Sequence, residues 1–175
     1  MRRIFPRQPR SLRSVPRRRR VLALVGDTQV GLWVTRSLAR NGLKVVSVCR
    51  TPAGQAAHSR YSADAWMLES KAHEPSFADE LAQLARRLEV GSVMTIAEGY
   101  HRALIRCRDR LEPEVHVFSP EARCFETATD KDAMHALCVR LGVPVARGAT
   151  LAKLLAGEVE LRFPLVLRKI GRAHV

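Results

Sequence analysis

Val21-Leu22-Ala23-Leu24-Val25-Gly26-Asp27-Thr28-Gln29-Val30-Gly31, continued through Lys44-Val45-Val46-Ser47-Val48-Cys49, decides the fold class. Residues 21–25 are a continuous apolar run bounded by arginines before and a glycine after. That is the pattern of a strand buried on both faces of a parallel sheet. Over 30–40 the apolar Val30, Val34 and Leu38 recur at helical spacing, with Leu32 and Trp33 flanking them. The spacing predicts a helix, which Asn41-Gly42 ends, because these residues tolerate the positive φ that closes a last turn. Residues 44–49 are a second apolar strand, and the three elements make a β-α-β unit.

The alternation continues downstream. A strand is expected over 63–68, and a helix from Pro75-Ser76 through Leu88 with Phe77, Leu81, Leu84 and Leu88 on one face. A strand over 92–96, a helix over 98–111, a strand over 115–118 and Pro120 at the first position of another helix follow. Asp130 is the expected N-cap of a helix reaching Leu141, closed by Gly142 and Pro144. Strands alternating with helices predict an α/β fold, an open parallel sheet wound on both faces. After Pro144 the pattern changes to a short extended stretch over 147–150, one or two helical turns over 151–155 and a strand over 163–167. A Rossmann-like domain over 21–125 is therefore expected to be followed by the start of an α+β domain over 126–168. No internal repeat is present.

The net charge of +13 belongs to the ends. Residues 1–20 hold nine arginines and no acid, and the body between the termini is nearly neutral. Phosphate contact with nucleic acid, a targeting presequence and binding to anionic lipid are the functional readings of this start. Pro6, Pro9 and Pro16 interrupt any long amphipathic helix, and like charge with low hydrophobicity resists packing. The segment is therefore read as a disordered basic tail, and nucleic acid is not the favoured partner. No run approaches the ~18 apolar residues of a membrane span. Cys49, Cys107, Cys124 and Cys138 contain no C-x-x-C pair, which argues against zinc or a disulfide framework and fits a reducing, cytoplasmic setting. The six histidines show no ligand spacing, and Cys49, Trp33 and Trp66 are read as packing residues.

Two loops carry candidate binding residues. Gly26, Asp27 and Thr28 lie between the first strand and first helix, where a doubly wound sheet presents helix N-termini to ligands. The match to G-x-G-x-x-G is poor, since Asp27 and Thr28 stand where the middle glycine belongs and an acid there repels pyrophosphate. Gly31 permits close packing of the helix on the strand. In Thr95-Ile96-Ala97-Glu98-Gly99-Tyr100, Thr95 and Glu98 are placed to hydrogen-bond a polar substrate, while Glu98 also suits a helix start.

Thr129-Asp130-Lys131-Asp132, the helix ending Leu141-Gly142-Val143-Pro144, and Phe163-Pro164-Leu165-Val166-Leu167-Arg168 form an ordered series. It resembles the entry into an ATP-grasp domain, where a D-K pair opens a helix ending in G-V-P and a strand of the form F-P-V-V-L-K follows. The residues before it resemble the pre-ATP-grasp domain of carboxylate–amine ligases and carbamoyl-phosphate-synthetase-like proteins, so that the resemblance covers about 21–168. It implies an ATP-dependent ligase that uses Mg²⁺, activates a carboxylate as an acyl-phosphate and lets an amine or similar nucleophile displace the phosphate. Lys131 matches the basic residue that approaches the nucleotide. Arg168 matches the basic residue that holds ATP phosphates, with arginine in place of the commoner lysine, as carbamoyl-phosphate synthetases have it. A guanidinium can grip two phosphate oxygens at once. A homodimer is left open.

The family's glycine-rich flap, adenine hinge strand and Mg²⁺-binding acids would all lie past residue 168, so the 175-residue chain is expected to be inactive by itself. Ile170-Gly171-Arg172-Ala173-His174-Val175 back-translates to ATC GGA AGA GCA CAC GTC, which resembles the start of a common sequencing adapter. Residues 169–175 are accordingly expected to be read-through. The alternative is a standalone Rossmann-like module binding a nucleotide or NAD(P). Against it, Arg50 rather than an acid follows the second strand, which removes a partner for a ribose 2′-hydroxyl but suits a 2′-phosphate.

Overall fold

The structure is a computed structural model and describes residues 1–4, 12, 15–25, 27–161 and 164–166. The chain forms two units, Met1–Glu121 and Ala122–Val175. The first unit carries β1 (Arg2–Arg3), β2 (Arg20–Leu24), α1 (Gln29–Arg40), β3 (Lys44–Cys49), β4 (Ser62–Met67) and α2 (Ser76–Arg87). It continues with β5 (Ser92–Thr95), α3 (Glu98–Arg106), α4 (Arg108–Leu111) and β6 (His116–Phe118). The strands line up as β1-β4-β3-β2-β5-β6. All neighbours are parallel except β1, which pairs antiparallel with β4. From β2 at the centre the chain steps outward through β3 and β4, then crosses to the other side for β5 and β6. The expected open, mostly parallel sheet is the fold observed.

Strand alternation divides the buried residues between two faces. Leu22, Leu24, Val46, Val48 and Val93 join Phe77, Leu81 and Leu84 of α2 and Leu104 and Leu111 in one core cluster. Each fully buried Leu or Val there stabilises the fold by about 1.5–3 kcal/mol relative to its exposed state. Ala23, Val25, Val45, Cys49 and Ala65 form the other cluster, with Leu38 and Ala39 of α1 packed against it. This second face is built largely from small side chains, and it lets α1 come close.

The close approach changes which residues of α1 point inward. A Cβ at Gly31 would stand 2.5 Å from the carbonyl oxygen of Val25, and Thr35 is fully buried with its hydroxyl 3.4 Å from Ser47 Oγ. The fully buried residues of α1 are Gly31 and Thr35; of the stripe Val30, Val34 and Leu38 read from sequence, Leu38 packs against the second cluster and Val30 does not. Val30 and Trp33 stay 50% and 55% exposed, so Trp33 is not the packing residue it was expected to be. Trp66 is one: it is buried, and its indole N–H donates to Asp64 Oδ2 at 3.1 Å.

Other differences are local. The helix expected over 98–111 breaks at Cys107 (φ −104, ψ 10) into α3 and α4, with Cys107 and Leu111 both buried. The helix expected to open at Pro120 is α5 (Ala122–Thr129). Parts of the basic segment 1–20, read as a tail, are held by acids on the body. Arg2 and Arg3 pair with Met67 and Trp66, and Arg3 Nε donates to the buried Asp64 at 2.9 Å. Arg17–Arg19 form a single 3-10 turn, and the buried Arg20 donates to Glu89 at 2.8 Å.

The second unit holds α5, α6 (Lys131–Arg140) and α7 (Leu151–Leu155). Asp130 caps α6 as the sequence predicts, its Oδ1 accepting from Asp132 N at 2.9 Å and Ala133 N at 3.0 Å. Of the strand expected over 163–167, residues 164–166 take no strand conformation, and Phe163 and Leu167 lie outside the described residues.

Candidate functional site

Because β3, β2 and β5 are parallel neighbours, their carboxyl ends open on one edge of the sheet. The chain reverses direction across the sheet between β2 and β5, and such a switch point is where ligands of doubly wound folds sit. The edge gathers Asp27 after β2, Cys49 and Arg50 at the end of β3, and Thr95, Glu98 and Tyr100 after β5.

The backbone occupies most of the predicted polar groups. Thr28 is the N-cap of α1 and accepts from Gly31 N at 3.1 Å. Thr95 is buried, donates to Leu24 O at 2.9 Å and accepts from Ala97 N at 3.2 Å, stitching the exit of β5 to β2. Both hydroxyls shape the loops. Glu98 opens α3, is exposed and pairs with Arg102 at 2.8 Å, where a negative charge also meets the positive end of the helix dipole. Gly26 and Arg168 lie outside the described residues. Lys131 is the exposed first residue of α6 in the second unit.

Asp27 is the organiser. Its Oδ1 accepts from Arg50 N at 3.2 Å and Thr51 N at 3.3 Å, tying down the turn-rich connection between β3 and β4. A Cβ at Gly54 would collide with Asp27 Oδ1 and with the Cys49 side chain, so this connection can close over the edge only with glycine there. Burial pushes the Cys49 thiol up to about 11, and the nearby Asp27 charge adds to the shift. Burial likewise raises the Tyr100 phenol; the Arg50 guanidinium works against that, while Asp27 and Cys49 reinforce it. The Tyr100 ring lies on Phe77, 5.9 Å between centroids. Arg50, Gly54 and Tyr100 were not among the residues predicted for the site. Arg50 had a legible signal, since the residue directly after a buried parallel strand emerges at the ligand edge.

A cavity of about 340 Å³ in the second unit is lined by His135, Val139, Arg147 and Glu160 among others, and by none of the predicted site residues. Among the described residues no three His, Cys, Asp or Glu are placed to hold a metal ion, so these residues do not by themselves fit Mg²⁺. No helix among them is long and apolar enough to cross a membrane.

A mostly parallel sheet with its polar loops at a topological switch point defines a Rossmann-like domain. Solved structures of several ATP-grasp enzymes share this fold. A biotin carboxylase domain of a single-chain bacterial carboxylase matches with TM-score 0.56 and 22% identity over 78% of this chain and 33% of that one. The biotin carboxylase domain of Hydrogenobacter thermophilus 2-oxoglutarate carboxylase, a dimer in complex with MgADP, matches with TM-score 0.60 and 17% identity over 84% and 34%. An L-amino acid ligase from Bacillus licheniformis matches with TM-score 0.57 and 17% identity over 89% and 38%. At these identities the likeness is one of fold, and the chain spans about a third of the length of the solved proteins it matches. No family model and no curated protein matches the chain.

Proposed function

We propose that this chain is the substrate-side domain and the first elements of the ATP domain of an ATP-grasp ligase. The whole protein would activate a small-molecule carboxylate as an acyl-phosphate with ATP and Mg²⁺ and pass it to an amine or similar nucleophile in the cytoplasm. The observation that carries the reading is the convergence of Asp27, Arg50 and the 95–100 loop on one sheet edge at the switch point, followed in sequence by the Asp130-capped α6. The loops at 26–31 and 95–100 would form one wall of the substrate site. Lys131 at the start of α6 and Arg168 would contribute positive charge toward nucleotide phosphates, where an ammonium acts as a compact charge and a guanidinium as a fork. When bound, Mg²⁺ would neutralise phosphate charge during transfer. Its ligands would come from outside the residues described, and the 175-residue chain alone would turn over no ATP. Assembly as a homodimer is compatible with this reading.

The test is to express the gene through any sequence that follows Arg168 and to measure ADP formation in the presence of MgATP. Formation that requires both a carboxylate and an amine supports the reading. Tight NAD(H) or NADP(H) binding by the first unit, without ATP use by the longer protein, would replace it with the standalone Rossmann alternative.

A further inference from the structure

Between Asp27 and Asp64 the chain holds no acid, while it carries Arg36, Arg40, Lys44, Arg50 and Arg60. The fold gathers three of these cations on one outer surface. Residues three and four apart are neighbours on a helix, so Trp33, Arg36 and Arg40 stand in one stripe of α1, and all three are exposed. At the end of that stripe the Arg40 guanidinium lies 5.4 Å from the centre of the Tyr61 ring, and Arg60 reaches the same ring at 5.2 Å. Arg60 also donates to the Tyr61 hydroxyl at 3.4 Å. That bond, with Arg40 beside it, holds the phenol below its ordinary value. Among the described residues none of Arg36, Arg40 and Arg60 pairs with a carboxylate. The flanking acids are engaged elsewhere, Asp27 by the backbone N–H groups of Arg50 and Thr51 and Asp64 by Arg3. Three guanidiniums therefore repel one another across a surface where the fold supplies no counter-charge.

Trp33 decides which anion fits. An acidic polypeptide neutralises the arginines but brings no flat group to the indole. An anionic membrane needs apolar area to bury, and Val30 and Trp33 are the large hydrophobic side chains that α1 exposes. A nucleic-acid duplex conceals its base faces in the stack. A single strand presents both phosphates and bare base faces, the pair of features that guanidiniums and an exposed indole bind. A guanidinium resting on the Tyr61 ring keeps its N–H edge available to phosphate oxygens. We propose that Trp33, Arg36, Arg40, Arg60 and Tyr61 form a docking surface for a short single-stranded nucleic acid, with phosphates on the guanidiniums and an unpaired base on the indole. Tyr61 precedes β4 at its amino end, where Ser62 pairs with Val45, so the surface leaves the loops at 26–31 and 95–100 free. Occupancy there is independent of the ligase reading.

The arginines of residues 1–20 attract the same probe, so the readout is the indole itself. The 175-residue chain is titrated with an oligouridylate of about twelve nucleotides, within the usual span of a single-strand site, while tryptophan emission is followed. Trp66 is buried against Asp64 and contributes a constant background. The expected result is saturable quenching of Trp33 that weakens with salt. Arg40→Ser and Arg60→Ser should each reduce the slope of log affinity against log salt by roughly 0.7, the share of one phosphate contact on a single strand. Trp33→Leu, followed by anisotropy of a labelled probe, should weaken binding about fivefold or more with the salt slope unchanged. These side chains are exposed, so an unchanged urea midpoint certifies each variant as folded. Probe binding without quenching of Trp33 overturns the proposal, since the basic start of the chain then binds alone. So does equal quenching by a duplex of the same length or by polyglutamate, or tighter binding to phosphatidylserine vesicles than to the oligonucleotide.

Discussion

In Met1–Glu121 the apolar side chains close over both faces of a sheet, with Leu22, Leu24, Val46, Val48, Phe77 and Leu104 withdrawn from solvent. Among the described residues of Ala122–Val175, Phe125 of α5 is buried, while most other apolar side chains stay at least partly outside. Neither α6 nor α7 buries a residue, and Leu141, Leu155 and Val166 are 66%, 79% and 88% exposed. Composition does not separate the two regions; the presence of a second layer does. A helix stabilises a fold through the apolar face it buries against another element, and the described part of the second unit offers α6 and α7 no such layer. The Asp130 cap and the Thr150 cap of α7 are in place regardless, because capping is local and needs no core.

That contrast breaks first at the core. Phe77→Ala should cost about 3–5 kcal/mol in urea unfolding of the first unit, whereas Leu155→Ala should stay within about 0.5 kcal/mol. Equal losses at the two positions would mean that α7 is buried in solution. Within the first unit, Gly31→Val forces a side chain against the Val25 carbonyl and should cost about 1–3 kcal/mol. Asp130→Ala should remove about 1 kcal/mol from α6 alone, read as lost helical circular dichroism with the urea midpoint of the first unit unchanged.

The smallest effect is chemical. With its thiol pushed up to about 11, Cys49 stays protonated when an ordinary cysteine begins to ionise. Iodoacetamide at about pH 8 should therefore label exposed Cys124 at least tenfold faster than Cys49 or Cys107 in the folded chain. For Cys49 the sign is fixed by the direction of the shift: its folded pKa lies above the unfolded one. Stability is thus full below the ordinary thiol value and falls as pH rises toward 11. A Cys49→Ala chain should lose part of that alkaline slope in a thermal-melt series.

Much of the first unit was legible because its signals are local and repeated. The runs at 21–25 and 44–49 are β2 and β3, within one residue at most, and the Asn41-Gly42 stop ends α1. The face of α1 was read only in part, Leu38 packing inward and Val30 staying outside, because periodicity counts apolar residues and not the room left opposite by the small Ala23, Ser47 and Ala65. A glycine and a threonine fit that gap better than valine does. The contacts of Arg3 and Arg20 depend on Asp64 and Glu89, residues distant in sequence, so composition alone favoured a free tail. The sequence placed the loops at 26–31 and 95–100 at the carboxyl ends of the strands, but it did not show that Thr28 and Thr95 hydrogen-bond to backbone carbonyls and amides. Such bonds depend on loop geometry. Arg50 was weighed only for the nucleotide alternative, and its nearness to Asp27 follows from the parallel register of β2 and β3.

On the proposed reading the first unit stands by itself, while α6 and α7 belong to an ATP domain that needs further layers for its core. Amide hydrogen exchange, compared between the 175-residue chain and the longer gene product, tests it. Amides of β2, β3 and β5 should be protected equally in both, while those of α6 and α7 should exchange roughly a hundredfold faster in the shorter chain. Equal protection of α6 and β3 in the 175-residue chain would contradict that division.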